Sequence, residues 1–223
     1  MVKFLNKAGA KIKGAGTDRI EIIGVNRLSE ISYNIMPDRI EAGTYLVAGA
    51  ITGGNVKITN ANPSHIEPVL NKLEEANCEL DIGKNYVKIK APKRIKAVDI
   101  KTMPYPGFPT DMQSIFGTLL STAKGTSIIT ENIFENRYKY TQELNKMGAK
   151  ITTEGKTAII KGVRKLSAAK VKSTDLRGGA ALVAAALIAS GTTILDNIPL
   201  ILRGYEDIVE KLTSVGTDLE LID

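Results

Sequence analysis

Histidine and cysteine are nearly missing from this sequence: His65 and Cys78 stand alone among 223 residues. One cysteine excludes an internal disulfide and a cysteine-built zinc site, and one histidine excludes a His-based metal site or a Ser-His-Asp triad within the chain. Tryptophan is absent and aromatic residues make up 5%, so a stacking platform for nucleic-acid bases has little to be built from. Long hydrophobic runs are missing too. The longest, Ala180 to Ala189, is closed by Ser190 and Gly191. It falls well short of the roughly 20 residues that span a bilayer and reads as a buried helix. The opening MVKFLNKAGAKIK carries lysines with no apolar segment behind them, so nothing marks export and the expected address is the cytoplasm.

What is present describes an ordinary globular chain, 43% hydrophobic and 24% charged. Its 30 Lys and Arg against 24 Asp and Glu give a net charge of +6, which suits an acidic ligand. The lysines are scattered rather than arranged as a stripe. Charge alone does not choose among nucleic acid, an anionic membrane surface and a small phosphorylated or carboxylated ligand; the scatter and the few aromatics weigh against nucleic acid, and the expected partners include no nucleic acid and no membrane.

An internal repeat organises the chain. Leu5 to Ile12 (LNKAGAKI) returns as Leu144 to Ile151 (LNKMGAKI), with weaker copies at Leu70 to Leu80 and Leu212 to Leu219. Gly9, Asn77, Gly148 and Gly216 hold the same place in the four copies, roughly 70 residues apart. A glycine, or an asparagine in its stead, just past a helix adopts the left-handed conformation that closes the last turn, so each copy predicts helix, stop, strand. Asp38, Asp111 and Asp175 keep a second phase. Each opens an apolar helical run that ends at Gly53, Gly125 or Gly191, followed by the β-rich segments NVKIT, TSIIT and TTILD. A further helix follows each, marked by Ile66, Val69, Leu70 and Leu73 in one unit and by Tyr205, Ile208, Val209, Leu212 and Val215 in another. Ser64 and Glu67 offer a capping box for the first of these.

Each unit thus reads β-α-β-α-β-β. Three units over residues 37–223 predict an α+β domain of three-fold pseudo-symmetry, an inside-out barrel with the apolar helices buried together and the sheets outside. Residues 1–36 read as the tail of a preceding repeat whose beginning is absent.

The motifs FPTDMQ (Phe108 to Gln113), FENRY (Phe134 to Tyr138), TDLRGGAAL (Thr174 to Leu182) and RGYE (Arg203 to Glu206) follow PDRIEAGTYLVAGA (Pro37 to Ala50) in order. Together they resemble the C-terminal half of the UDP-N-acetylglucosamine enolpyruvyl transferases (UDP-N-acetylglucosamine 1-carboxyvinyltransferases), a branch of the enolpyruvate transferase family. The likeness covers essentially the whole chain. It implies a fold of two similar domains with the active site in the cleft between them. It also implies transfer of the enolpyruvyl group of phosphoenolpyruvate to the 3′-hydroxyl of UDP-N-acetylglucosamine, with release of phosphate and with no metal or cofactor. By the same resemblance Asp111 contacts the sugar hydroxyl and is a proposed base. Ile133 makes a backbone contact to the UDP-sugar, Arg177 and Arg203 face phosphoenolpyruvate, Asp175 neighbours that site and Arg137 is a further cleft arginine. The family's Lys-Asn pair, its loop with a Cys general acid and an adjacent Arg belong to the other half, so this chain alone is expected to be inactive.

The residues themselves support part of this. Phosphoenolpyruvate carries a carboxylate and a phosphate, and arginine's planar fork binds either in a bidentate way. Arg177 and Arg203 are both expected at helix starts, where backbone N–H groups favour anions, with Gly178 and Gly179 admitting close approach of a ligand. The competing readings are plainer: the arginines pair with Asp175 or Glu206, the glycines admit helix packing, and Asp111 is a helix cap like Asp38 and Asp175. An Asp near its reference pKa of about 3.9 is a weak base, so positioning is its larger role. Two alternatives to the enzyme reading stand beside it: a non-catalytic binder of a phosphorylated ligand, and one half of a split enzyme that pairs with a separately encoded N-terminal half.

Overall fold

A computed structural model describes residues 1–222; Asp223, the last residue of the expected second domain, lies outside them. The chain divides into two compact units, Met1–Met36 and the remainder from Pro37. In the first, helix α1 (Val2–Lys7) leads into an antiparallel hairpin of β1 (Lys11–Lys13) and β2 (Glu21–Ile23). The Asn6 side chain brackets Ile12, accepting from its N–H at 2.9 Å and donating to its carbonyl at 2.7 Å.

The second unit is a mixed α+β body. It contains α2 (Arg39–Ile51), β3 (Asn55–Thr59), α3 (Glu67–Glu75), β4 (Glu79–Ile82), β5 (Tyr86–Lys90) and β6 (Ile100–Lys101). Then come α4 (Gln113–Ser121), β7 (Thr126–Thr130), α5 (Tyr140–Lys146), β8 (Lys150–Glu154), β9 (Thr157–Lys161) and β10 (Lys170–Lys172). The chain closes with α6 (Leu176–Ala186), β11 (Ile194–Asp196), α7 (Pro199–Leu202) and α8 (Ile208–Thr213).

Helices α2, α4 and α6 form the centre and touch one another. Every residue of α4 is buried, as are most of α2 and α6, because helices that are apolar or small on all sides have no face to give to water. The sheets lie against them. β3, β5 and β4 form one antiparallel sheet in which Val87 and Ile89 point inward while Lys88 and Lys90 face solvent. The order β6-β7-β9-β8 makes a second sheet, parallel only between β6 and β7. The third is a parallel pair, β10 and β11, three residues long. Among the described residues, no helix is long and apolar enough to cross a membrane.

The repeat has a structural counterpart. Gly9, Asn77, Gly148 and Gly216 all have φ between 70° and 102°, and the residue after each sends its N–H back to the leucine of its own copy, Leu5, Leu73, Leu144 or Leu212. Asn145 brackets Ile151 as Asn6 brackets Ile12. The asparagine of LNKxGAKI thus ties the helix end to the strand that follows.

Two expected details differ. The cap before α3 is Asn62, whose side chain accepts from the Ser64 N–H and hydroxyl; Ser64 and Glu67 form no capping box, because Pro68 and the short turn at Pro63–His65 delay the helix. The stripe on α8 ends early: Ile208 and Leu212 are buried, but Val215 lies beyond the helix in solvent.

Candidate active site

Asp38 and Asp175 are helix caps. Asp38 accepts from the N–H groups of Ile40 and Glu41, and Asp175 from those of Arg177 and Gly178. Asp111 departs from the expected cap. It sits inside a short turn, Thr110–Met112, directly before α4, and makes no capping bond. Its carboxylate turns to two arginines instead: Arg137 Nη2 donates to Oδ1 at 2.9 Å and Arg177 Nη2 donates to Oδ2 at 3.0 Å. Arg137 Nη1 also lies 4.0 Å from Asp175 Oδ1, so two carboxylates and two guanidiniums alternate in one cluster. The cluster lies at the N-terminal ends of α4 and α6.

Each arginine is held from a second side. Arg177, in the first turn of α6, donates from Nη1 to Tyr205 Oη at 3.1 Å. Tyr205 Oη lies 3.0 Å from Thr44 Oγ1, whose own proton goes to the Ile40 carbonyl, so the relay runs from Arg177 through Tyr205 to α2. Burial alone would lower the pKa of Arg177, but Tyr205 and Asp111 outweigh it and leave the guanidinium above its usual value. Arg137 is buried, stacks over the Phe134 ring at 4.3 Å and donates from Nε to Thr110 Oγ1 at 3.3 Å.

Sequence reasoning missed Glu131. This carboxylate is 3% exposed and holds the site's loop together. Oε1 accepts from Thr102 Oγ1 and from the N–H groups of Ile133 and Phe134, while Oε2 accepts from Thr110 Oγ1 at 2.9 Å. One buried acid therefore ties the end of β7 to the residue before Asp111. The only signal in the sequence is an acid directly after the apolar strand TSIIT. The Ile133 N–H is spent on Glu131, which leaves its carbonyl as the backbone group available to a ligand, and its side chain is exposed.

Two other expectations are corrected. Arg203 does not open a helix; it closes α7, where backbone carbonyls rather than N–H groups are exposed. Gly204 beside it presses on Leu176, so the Arg203 backbone lies next to the first turn of α6, and its exposed side chain has no hydrogen-bond or ion-pair partner among the described residues. Gly178 and Gly179 are buried and face protein, the first against Thr174 and Asp175, the second against Ser173 and Ile201. They allow helix packing, not ligand approach.

Asp111, Arg137, Asp175 and Arg177 are thus in direct contact, Ile133 is joined to them through Glu131 and Thr110, and Arg203, outside the cluster, has no partner among the described residues. Such a cluster can hold the Asp111 carboxylate in a fixed orientation between two guanidiniums. Among the described residues no three His, Cys, Asp or Glu side chains converge to hold a metal ion. Cys78 is buried in the core, and burial pushes its thiol up to about 11, so it takes no part in this site.

The arrangement has relatives. Residues 1–212 match the family model described as EPSP synthase (3-phosphoshikimate 1-carboxyvinyltransferase). A UDP-N-acetylglucosamine 1-carboxyvinyltransferase 2 of Caldanaerobacter subterraneus subsp. tengcongensis is 54% identical over 217 residues, 97% of this chain and 52% of the relative. A UDP-N-acetylglucosamine 1-carboxyvinyltransferase of Desulfofundulus thermocisternus is 51% identical over 97% of this chain and 89% of its own length. Among solved structures, the enolpyruvyl transferase NikO from Streptomyces tendae superposes with a TM-score of 0.87 at 27% identity, over 97% of this chain and 52% of that one. The chain spans about half the length of most of the curated relatives it matches. On the family match and the identity to these relatives, the chain belongs to the EPSP synthase family, among the UDP-N-acetylglucosamine 1-carboxyvinyltransferases.

Proposed function

We propose that this chain supplies the C-terminal half of an enzyme that moves the enolpyruvyl group of phosphoenolpyruvate to the 3′-hydroxyl of UDP-N-acetylglucosamine and releases phosphate. That reaction is the first committed step of cytoplasmic peptidoglycan synthesis, on which cell shape and division depend. The observation that carries the reading is the division of the Asp111 carboxylate between Arg137 and Arg177; Arg203, whose neighbour Gly204 meets Leu176 at the start of α6, is exposed and has no partner among the described residues.

The roles we assign come from the resemblance, and the geometry supports them in part. Asp111 presents a carboxylate fixed by two forks, so its part is to orient and accept from the sugar hydroxyl as bonding to the enolpyruvyl carbon advances. Arg203, without a partner among the described residues, is the cation that takes up a phosphoenolpyruvate oxyanion, and Arg177 is the second, reached when its contact with Asp111 is shared with ligand. Arg137 and Asp175 keep the cluster's charge balanced, and the Ile133 carbonyl contacts the UDP-sugar. The general acid that protonates the methylene belongs to the N-terminal half that the full-length relatives carry, so that half, in the same or a separate chain, is the required partner.

The architecture we propose for this half is a three-fold pseudo-symmetric, inside-out barrel formed by residues 37–223, with residues 1–36 as the tail of a preceding repeat. The shared helix stops, the positive φ at Gly53, Gly125 and Gly191 and the mutual contact of α2, α4 and α6 support it.

Phosphate release tests the functional reading. The chain alone should release none from phosphoenolpyruvate and UDP-N-acetylglucosamine, and turnover should appear when the N-terminal half of a relative is supplied. Turnover by the chain alone would overturn the placement of the acid, and no recovery with a soluble, substrate-binding partner half would favour a non-catalytic binder.

A further inference from the structure

The three central helices run the same way. Their last turns lie at the end opposite the Asp111 cluster, roughly 14 Å away by the length of α4. There Ile51 of α2, Leu119 of α4 and Ile188, just past α6, form the apolar floor of a cavity of about 430 Å³. Its rim is basic: Lys93 and Arg94 come from the loop after β5, and Arg164 and Lys165 from the loop after β9, with no carboxylate in the lining.

Part of that charge is already committed. Each helix C-terminus carries about −0.5 of an elementary charge, so three converging ends amount to roughly −1.5 against four cations, a surplus of about +2.5. Arg94 accounts for one cation: its Nε donates to the Thr122 carbonyl at 2.9 Å and its Nη2 to the Ala123 carbonyl at 2.8 Å, which caps α4. Lys93, Arg164 and Lys165 are exposed and have no hydrogen-bond or ion-pair partner among the described residues. Neutralising the helix ends therefore does not use up the rim.

We propose that this cavity is a second binding site, separate from the Asp111 cluster, for a phosphate monoester with an apolar body. A guanidinium fork takes two phosphate oxygens and two ammonium groups match the remaining charge, whereas a single carboxylate would leave cations unpaired. The apolar floor selects an organic phosphate over the bare ion, and the volume suits a small molecule.

The test is a titration of the full chain, with isoleucine and leucine methyl groups labelled, against phenyl phosphate, inorganic phosphate and benzyl alcohol. Phenyl phosphate should shift the methyl resonances of Ile51, Leu119 and Ile188 to saturation. The Lys93→Ala/Arg164→Ala/Lys165→Ala variant should bind at least tenfold more weakly with an otherwise unchanged methyl spectrum, and Arg164→Glu should act in the same direction. Arg203→Ala, at the opposite end, should leave this binding alone. Undiminished binding by the triple variant, or shifts confined to methyl groups around the Asp111 cluster, would overturn the site. Inorganic phosphate binding as tightly as phenyl phosphate would overturn the role of the floor, and benzyl alcohol binding equally well would overturn that of the cations.

Discussion

Asp111 and Arg177 are 66 positions apart in the chain, yet Oδ2 of one accepts from Nη2 of the other at 3.0 Å, while the second carboxylate oxygen serves Arg137. The aspartate is the shared neighbour of two cations that the fold keeps largely out of water, with side-chain exposures of 14% for Arg177 and 9% for Arg137.

Asp111→Asn removes one acceptor and the countercharge, because an amide offers a single oxygen. Leaving a largely buried guanidinium short of a partner costs about 1–3 kcal/mol. Urea unfolding of the isolated chain should show that loss as a lower midpoint with an unchanged slope; an unaltered midpoint would mean that water takes over the bond.

Arg203→Ala should do the opposite. The side chain is exposed and has no partner among the described residues, so stability should stay within about 0.5 kcal/mol of the parent. In an enzyme completed by the N-terminal half, the same change should lower kcat/KM by two orders of magnitude or more, chiefly towards phosphoenolpyruvate. Near-normal kinetics would remove Arg203 from the anion site.

Glu131→Ala leaves two hydroxyls and the N–H groups of Ile133 and Phe134 without their common acceptor. The expected loss is about 2–4 kcal/mol. Amide chemical-shift changes should centre on Ile133, Phe134 and Thr110. Changes spread evenly over the core would instead mark Glu131 as a general packing residue.

Cys78 should resist alkylation in the folded chain and react at once in urea. Its thiol is raised by burial from an ordinary 9.0 to about 11, so above pH 9 the unfolded chain loses a proton that the folded chain keeps. Its contribution is complete below pH 9 and is lost as pH rises through about 11, a fall on the order of 2 kcal/mol. Cys78→Ala should flatten that alkaline decline; an identical pH profile for the variant would assign the decline to other groups.

Much of the fold could be read from local signals because those signals act locally. The left-handed stops at Gly9, Asn77, Gly148 and Gly216 need only their own helix, and Asp38 and Asp175 cap the turns that follow them. Asp111 carries the same local signature and behaves differently, since two arginines far along the chain compete for its carboxylate and win. That competition exists only after α4, α5 and α6 have packed. Arg203 is hard to place for a related reason: α7 is a four-residue helix, too short to leave a periodic trace, so in the sequence its end resembles a beginning. Glu131 has no periodic partner at all, and its four donors come from three separate stretches of chain.

The sheets supporting the cluster are unequal. The Asp111 and Arg137 arm rests on the four-stranded sheet, whereas α6, carrying Asp175 and Arg177, is backed by α7, α8 and a parallel ribbon of three-residue strands. Protection against hydrogen exchange should therefore be graded across the molecule, deepest in β7 and β9 and shallowest in β11. Slow breathing of the α6 side would then loosen the grip of Arg177 on Asp111 while the other arm stays fixed, giving the cluster a natural direction in which to open.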